Sequence, residues 1–208
     1  MAITEKELKL LLEHDSFTKI LNYAPKCPNP IRQTNYYFDT LDFRLDKAGI
    51  TLRIRNEDGQ WLLCLKIKSK SESRFISSLE IERQISNKEF EYFKSNPSEI
   101  LGTIAEKKHD LKMIIDSSEI CFLGYIQNER LKVRLFNEYT FELDHSFFPG
   151  GNESFELEVE GVNSELECEY ILSELKGLGI NYHINKKSKY KRFVEYISSN
   201  NNVSIALK

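Results

Sequence analysis

The sequence predicts an α+β, mainly β protein: a closed eight-stranded antiparallel β-barrel with helices packed on the outside. Charged and apolar residues alternate in several short segments, and this period of two is typical of strands with one charged face. Turn signals such as Asp58-Gly59 join many of these segments as hairpins, and hairpins make a sheet antiparallel. Amphipathic segments in the longer connections supply helices that can cover an apolar surface.

The alternating segments are the predicted strands, and turn residues or a change of period bound each of them. They lie near residues 4–12, 31–39, 49–55, 60–70, 74–85, 119–136, 139–146 and 153–162. Eight strands are enough to close a barrel whose interior is just wide enough for side chains or one small ligand.

Helical spacing of apolar residues predicts the connecting helices. They follow the cap at Asp15 and Ser16, occupy parts of 86–118 where Pro97 interrupts the pattern, and recur at 164–177 and 187–197. Since no segment resembles a linker, residues 1–197 are predicted to form one domain. Residues 198–208, with three consecutive Asn, are predicted to be a mobile tail.

Charge and composition exclude several function classes. The chain has 29 basic and 32 acidic side chains, and the net charge of −3 gives no overall attraction to nucleic acid. The first residues lack the apolar run of a signal peptide, and no segment approaches the roughly 20 apolar residues of a membrane span. We therefore expect a cytoplasmic protein, a monomer or homodimer, that binds neither nucleic acid nor membrane.

Cysteine and histidine spacing argues against a metal site built from thiols or imidazoles. The residues concerned are widely separated: Cys27, Cys64, Cys121 and Cys168, and His14, His109, His145 and His183. Scattered thiols are typical of reduced cysteines in the cytoplasm. If the protein binds a metal, carboxylates must hold it.

The charged faces of the strands allow two interpretations. Their members are Glu5, Glu7, Lys9, Arg53, Arg55, Lys66, Lys68, Glu80, Glu82, Glu156, Glu158 and Glu160. An antiparallel sheet commonly has one solvated face, and the alternation on any single strand is typical of that arrangement. The signs, however, are sorted by strand, with acids on the first, fifth and last strands and bases on the third, fourth and sixth.

Sorting by sign favours an enclosed site with a ligand. Two like charges repel by about 1 kcal/mol in water but by about 4 kcal/mol at the effective dielectric constant of a partly enclosed site. A ligand carrying both signs, such as a metal-bound polyphosphate, would offset that repulsion, because carboxylates bind hard cations and basic groups bind phosphate oxygens. Charged faces inside a barrel also leave apolar faces outside for the helices to cover.

The order of these motifs resembles that of the CYTH domain proteins, also called triphosphate tunnel metalloenzymes, over most of the chain. The motifs are Glu5-x-Glu7-x-Lys9, Tyr37-Phe38-Asp39-Thr40, Leu52-Arg53-Ile54-Arg55, Leu65-Lys66-Ile67-Lys68, Glu80-Ile81-Glu82-Arg83, Glu156 to Glu160, and Lys187-Ser188-Lys189-Tyr190. The resemblance implies an eight-stranded antiparallel barrel that forms a tunnel. It also implies activity on triphosphates with Mg²⁺ or Mn²⁺.

The resemblance further implies the residues of a site. The candidate metal ligands are Glu5, Glu7, Glu80, Glu82, Asp144, Glu158 and Glu160. The candidate contacts to the triphosphate are Lys9, Arg53, Arg55, Lys66, Lys68, Arg130, Arg134, Lys187 and Lys189. The candidate catalytic residues are Glu5, Glu7, Lys9, Arg53, Arg55 and Lys189. Spacing leaves open which two of Glu156, Glu158 and Glu160 bind metal, with Glu158 and Glu160 preferred, and Arg192 is expected on a helix surface.

The leading expectation is metal-dependent hydrolysis of the terminal phosphoanhydride of a triphosphate, either inorganic tripolyphosphate or a nucleoside triphosphate. The alternatives are a class IV-type adenylate cyclase, a thiamine triphosphatase, and a non-catalytic module that binds polyphosphate or nucleotides. Trp61 is a poor thiamine contact, because its parity is opposite to that of Lys66 and Lys68 and it should face outward. Acids on both strands that the resemblance assigns to metal binding argue against simple anion binding.

Overall fold

The part of the chain that the structure describes contains nine strands, and several of them alternate apolar with charged residues. The structure is a computed structural model, and it describes residues 2–23, 29–69, 74–104, 119–136 and 139–199, apart from the side chains of Ala2, Ile3 and Glu5. The strands are β1 (Ala2–Leu12), β2 (Ile31–Thr40), β3 (Ile50–Glu57), β4 (Gln60–Lys68), β5 (Ile76–Ile85), β6 (Ile120–Leu135), β7 (Tyr139–Phe147), β8 (Glu153–Glu160) and β9 (Tyr182–Ile184).

Eight of these strands form a closed antiparallel barrel, as the sequence predicts. The order is β5-β4-β3-β2-β6-β7-β8-β1, and pairing of β1 with β5 closes the sheet. β1 achieves this with its first half, Ala2–Glu7, while Leu10–Leu12 pair with the short strand β9 on the same edge. The additional strand β9 was not predicted, because three residues are too few to show a period.

Helices cover the apolar outside of the barrel. The α-helices are α1 (His14–Tyr23), α2 (Arg44–Lys47), α3 (Asn87–Ser95), α4 (Glu165–Gly177) and α5 (Lys189–Ser199). α1 and α4 cover outward-facing residues of β1, β7 and β8, whereas α3 and the 3-10 helix Pro97–Thr103 cover those of β3, β4 and β5. The charged faces therefore point inward, which confirms the enclosed interpretation.

The last helix, α5, has a different position from the others. Its residues Tyr190 and Phe193 pack against Tyr37, which lies opposite Arg53 in the β2–β3 pairing and so faces the barrel interior. The ring centroids of Tyr37 and Tyr190 are 4.8 Å apart. α5 thus packs on the inner face at one end of the barrel and partly closes it.

Several boundaries differ from the predicted ones. α3 begins at a capping box, in which Ser86 and Glu89 satisfy each other's backbone amides, and it ends before Pro97. The predicted helical region runs to residue 118, but its part after Ile104 lies outside the described residues. α5 continues through Ser199, so the predicted tail would begin later than Ser198, and residues 200–208 are outside the described part. None of the described helices combines the length and apolarity needed to cross a bilayer.

Candidate active site

A cavity of about 1490 Å³ occupies the interior of the barrel. We call it the central cavity. Most of the predicted site residues line it: Glu7, Lys9, Arg53, Arg55, Lys66, Lys68, Glu80, Glu82, Arg130, Glu158, Glu160, Lys187 and Lys189. Residues scattered over more than 180 positions of sequence are thus brought together by closure of the sheet.

Strand register places opposite charges side by side within this cavity. Lys9 on β1 lies directly opposite Glu158 on β8, and Lys66 on β4 lies opposite Glu80 on β5. Directly opposed residues have Cβ atoms about 5 Å apart, which is within reach of an ion pair between long side chains. Glu7 breaks the pattern, because its partner in β8 is Glu160, another acid.

One side of the cavity is a network of buried ion pairs, which we call the ion-pair wall. Its members are Glu7, Lys9, Arg130, Glu142, Asp144, Glu156, Glu158 and Lys189. The Lys9 Nζ lies 3.0 Å from Glu7 and 2.8 Å from Glu158, and Arg130 contacts Glu142 and lies 2.6 Å from Asp144. Every cation of this wall therefore has at least two carboxylate partners.

Lys189 and Arg130 each have three carboxylate partners in the ion-pair wall. The Lys189 Nζ lies 2.8 Å from Asp144, 2.9 Å from Glu156 and 2.8 Å from Glu158. Its pKa is raised, because these carboxylates outweigh the burial that by itself would lower it. The Lys189 ammonium is therefore charged at neutral pH.

Three buried acids of the ion-pair wall, Glu7, Asp144 and Glu158, remain ionised. Burial by itself would raise the pKa of Glu7, but Lys9 and Lys66 outweigh it and lower that pKa. The same balance, with Lys189 as the main cation, lowers the pKa of Glu158 and lowers the pKa of Asp144 to about 2. The wall therefore presents permanent carboxylates to the cavity.

Arg53 and Arg55 of β3 form a second surface, which we call the arginine wall. Arg55 donates from Nε to the Asn35 side chain at 3.1 Å, and its Nη1 lies 3.8 Å from Glu57. Arg53 has a buried Nε with no hydrogen-bond partner, and among the described residues no carboxylate lies within ion-pair distance of it. The arginine wall thus holds two cations with little compensating charge.

The neighbours of Arg53 supply only part of the missing charge. The pKa of Arg53 is raised, because Cys64, Tyr37 and the Glu80 carboxylate outweigh the burial that by itself would lower it. Burial raises the pKa of the Cys64 thiol and of the Tyr37 hydroxyl, so both groups are uncharged at neutral pH. The pKa of Arg55 is lowered by burial and by the nearby charges of Arg53 and Arg130. Such crowding of like charges favours an anionic ligand at this wall.

The carboxylates of the cavity fit a hard divalent cation. Glu7 and Glu158 lie on either side of the Lys9 ammonium, and both are almost completely buried. Carboxylate oxygens are the donors that Mg²⁺ and Mn²⁺ prefer. Within the described ranges, no three acidic, histidine or cysteine side chains already form a metal-binding group. The Glu5 side chain, also a predicted ligand, lies outside the described part, although its backbone pairs with Ser78.

Four predicted residues occupy less direct positions. Arg134 is exposed and does not line the central cavity, although its strand and parity match those of Arg130. Asp144 and Glu156 lie beneath the cavity surface, where both contact Lys189. Lys187 is half exposed at the rim and pairs with Glu195 at 2.9 Å.

Contacts of the three glutamates on β8 separate their positions. Glu156 is fully buried, and it contacts Lys189, Arg192 and the Asn185 amide. Glu158 and Glu160 line the central cavity instead. This placement favours Glu158 and Glu160 as the pair that would face a bound ion.

The sequence did not lead us to several residues of the site: three are uncharged amides, and the fourth, Arg192, was expected only on a helix surface. Gln33, Asn35 and Asn128 face the cavity, and Asn128 donates to Gln33 and to Asp144 at 3.0 and 3.1 Å. Their signal was the parity of β2, in which Gln33 and Asn35 share the face of Tyr37. Arg192, expected only on a helix surface, lies beside Ser154 and Glu156.

A match to a known family decides the relationship of this chain. A model of the CYTH domain matches residues 4–194. The chain belongs to the CYTH family. The provisionally named triphosphatase YjbK of Bacillus subtilis (strain 168) is 30% identical to this CYTH protein over 160 residues, which is 76% of this chain and 78% of the relative.

Solved structures with the same fold are similar over nearly the whole length. HpAC1 from Hippeastrum, a provisionally named adenylyl cyclase described as having a dominant triphosphatase activity, has a TM-score of 0.77 and 26% identity, over 92% of this chain and 95% of that one. A provisionally named adenylate cyclase from Bacillus halodurans has a TM-score of 0.73 and 25% identity, over 92% and 98% of the two chains.

Proposed function

We propose that this CYTH protein hydrolyses the terminal phosphoanhydride of a triphosphate with the help of a divalent cation. The observation that carries the proposal is the unequal charge balance of the central cavity. The arginine wall has two partly buried cations with little compensating charge, and the ion-pair wall opposite it has ionised carboxylates. A metal-bound triphosphate carries both complementary charges.

The residues of the chain have distinct tasks in this reaction. Arg53, Arg55 and Lys68 bind the phosphate oxygens, and they stabilise the charge that develops on those oxygens in the transition state. Lys9 and Lys189 hold the carboxylates of the ion-pair wall in place. No nucleophilic side chain is needed, because water can attack the terminal phosphorus once the chain is oriented.

Glu7, Glu158 and Glu160 are the described residues that would hold the divalent ion, with Glu5 from the same strand as Glu7. The ion would neutralise phosphate charge and supply a more acidic bound water. Mg²⁺ or Mn²⁺ suits this set of oxygen donors.

Hydrolysis is favoured over cyclisation by the lining of the cavity. The aromatic residues among the described lining are Tyr37 and Tyr190, which are buried and stacked on each other rather than open to a purine. Trp61 packs outside the barrel, 4.1 Å from the Phe90 ring, and offers nothing to a thiamine. The triphosphatase activity described for HpAC1, despite its cyclase name, supports the same choice.

We further propose that the protein acts in the cytoplasm. The described cysteines, Cys64, Cys121 and Cys168, are all unpaired thiols, as a reducing compartment would maintain them. Cys27 lies outside the described residues.

A substrate panel tests the proposed function. Purified protein is incubated with tripolyphosphate, ATP, GTP or thiamine triphosphate, each with Mg²⁺, with Mn²⁺ or without metal, and phosphate and pyrophosphate are measured. We expect metal-dependent release of phosphate, most efficiently from tripolyphosphate, because nothing in the described lining stacks on a base. Pyrophosphate with cyclic AMP as the main products from ATP would instead identify a cyclase.

A carboxylate variant tests the metal site separately. The double variant Glu5→Gln with Glu7→Gln keeps the side-chain size but removes two candidate ligands. We expect its metal-dependent phosphate release to fall by at least about 100-fold. Retention of full activity with unchanged metal dependence in the double variant would contradict the assignment. Tight metal-dependent binding of tripolyphosphate by the wild type without any turnover would instead identify a non-catalytic binding module.

A further inference from the structure

One sequence motif has no part in the proposed chemistry. Tyr37-Phe38-Asp39-Thr40 ends β2, and Lys189-Tyr190 begins α5, more than 140 residues later. The structure joins the two segments: the Tyr190 hydroxyl donates to the Asp39 Oδ2 at 2.6 Å, and the Tyr190 ring stacks on Tyr37. Asp39, Tyr37 and Tyr190 are each at least 98% buried.

Asp39 is a rigid anchor for this contact. Its carboxylate accepts the backbone N–H groups of Thr40, Leu45 and Asp46 at 2.7, 2.9 and 3.0 Å. These bonds fix the carboxylate between the end of β2 and the short helix α2. A charged acceptor with several aligned donors is geometrically well defined, so the Tyr190 hydroxyl is directed to one position.

The anchored turn of α5 also carries Lys189. Lys189 immediately precedes Tyr190, and the next residue, Lys191, pairs with Asp46 at 2.6 Å. The residues before this turn, Lys186 and Lys187, are exposed. The segment before Lys189 is also held, since the Lys187 N–H donates to the Asn185 side chain at 2.9 Å, and Tyr190 and Lys191 add two contacts on the C-terminal side.

We infer that Asp39 and Tyr190 are positioning residues, which fix the first turn of α5 so that the Lys189 ammonium lies among Asp144, Glu156 and Glu158. The inference rests on the proposed function, since the Lys189 contact is useful for catalysis only if the central cavity binds a triphosphate. Without the hydroxyl contact, the turn loses its buried anchor to Asp39, and the ammonium is held less precisely. Small displacements of such a group are costly, because about 1 Å can lower a rate by 100-fold.

The first test is Tyr190→Phe, which removes one hydroxyl and keeps the stacked ring. The matched control is Tyr182→Phe, which removes a partly buried hydroxyl that donates to the Leu172 carbonyl at 3.3 Å, away from the central cavity. We expect Tyr190→Phe to lower kcat for tripolyphosphate by about 10-fold with a KM change below about twofold. Tyr182→Phe should leave both constants unchanged.

A double-mutant cycle separates positioning from general stabilisation. If Tyr190 acts through Lys189, then Tyr190→Phe has no further effect on kcat in a Lys189→Met background. An undiminished 10-fold effect in that background would overturn the inference. Lys189→Gln serves in the same way if the methionine variant does not fold, and circular dichroism checks each protein.

A measurement without substrate distinguishes failure of the inference from failure of the proposed function. The ammonium protons of Lys189, held by three carboxylates, should exchange slowly and give a ¹⁵N-detected side-chain signal, identified by its absence in Lys189→Met. We expect this signal in the wild type and in Tyr182→Phe, and its loss in Tyr190→Phe and Asp39→Asn. An unchanged signal in Tyr190→Phe would refute positioning. Absence of triphosphate hydrolysis by the wild type would refute only the proposed function.

Discussion

The two walls of the central cavity both contain basic side chains, but those of the ion-pair wall are closely paired with carboxylates and those of the arginine wall are not. In the ion-pair wall, Lys9 and Lys189 have two and three carboxylate partners within 3.0 Å. In the arginine wall, the best carboxylate contact of Arg55 is 3.8 Å from Glu57. The comparison teaches that a buried charge by itself does not reveal a ligand site. What distinguishes the two walls is whether the protein itself supplies the counter-charge.

The two walls should therefore respond in opposite ways to neutralising substitutions. Removal of a charge from the ion-pair wall leaves its partners buried without compensation, which is strongly destabilising. Removal of a charge from the arginine wall relieves repulsion, so the free protein should lose activity but not stability. The following predictions test this contrast.

The largest effect is expected for Glu158→Gln in the ion-pair wall. Lys9, Arg130 and Lys189 would each lose a carboxylate partner, and we expect the free energy of unfolding to fall by about 3 kcal/mol. Urea unfolding measures it. Glu153→Gln on the same strand, which removes a half-exposed partner of His145, is the control and should change stability by less than about 0.5 kcal/mol.

Arg55→Gln tests the arginine wall. We expect kcat/KM for tripolyphosphate to fall by about 100-fold, because a cation that contacts the phosphate oxygens is lost. The unfolding midpoint in urea should stay the same or increase, since repulsion by Arg53 and Arg130 disappears. Arg32→Gln, an exposed arginine 3.6 Å from Glu129, is the control for both measurements. A clear loss of stability in Arg55→Gln would contradict the contrast between the walls.

Acid should weaken the ion-pair wall specifically. The pKa of Asp144 is about 2 in the folded protein, below the usual value near 3.9 of the unfolded chain. The resulting stabilisation, on the order of 2 kcal/mol, is complete above about pH 4 and is lost as the pH falls toward 2. The stability difference between wild type and Asp144→Asn, measured by unfolding at pH 6, 4 and 2.5, should shrink over that window. A constant difference would show that the charge of Asp144 is not what stabilises the wall.

The smallest effect is expected at a residue that the structure places outside both walls. Arg134 shares strand and parity with Arg130 but is exposed and away from the central cavity. Arg134→Gln should keep kcat and KM for tripolyphosphate within about twofold of the wild type. A tenfold rise of KM would show that the phosphate site extends further along β6 than the cavity lining indicates.

Much of the barrel could be predicted from local pattern. Alternation such as Leu8-Lys9-Leu10 assigns each side chain to a face, because the period of a strand is two, and it correctly placed Lys9 inside and Trp61 outside. The same rule would have found Asn35 and Gln33. They were missed because the aromatic residues beside them dominated the interpretation of that strand.

What the sequence by itself determined is which side chains face the interior and which chemical groups they bring. Only the tertiary structure decided which of those charges neutralise each other. Register across β1 and β8 joins Lys9 to Glu158, and docking of α5 joins Lys189 to Asp144, 45 residues away. A one-residue shift of register would change every such pair, and alternation alone does not specify register between distant strands. The weakly compensated charge of Arg53 and Arg55 is therefore a property of the closed barrel, although both arginines are evident in the sequence.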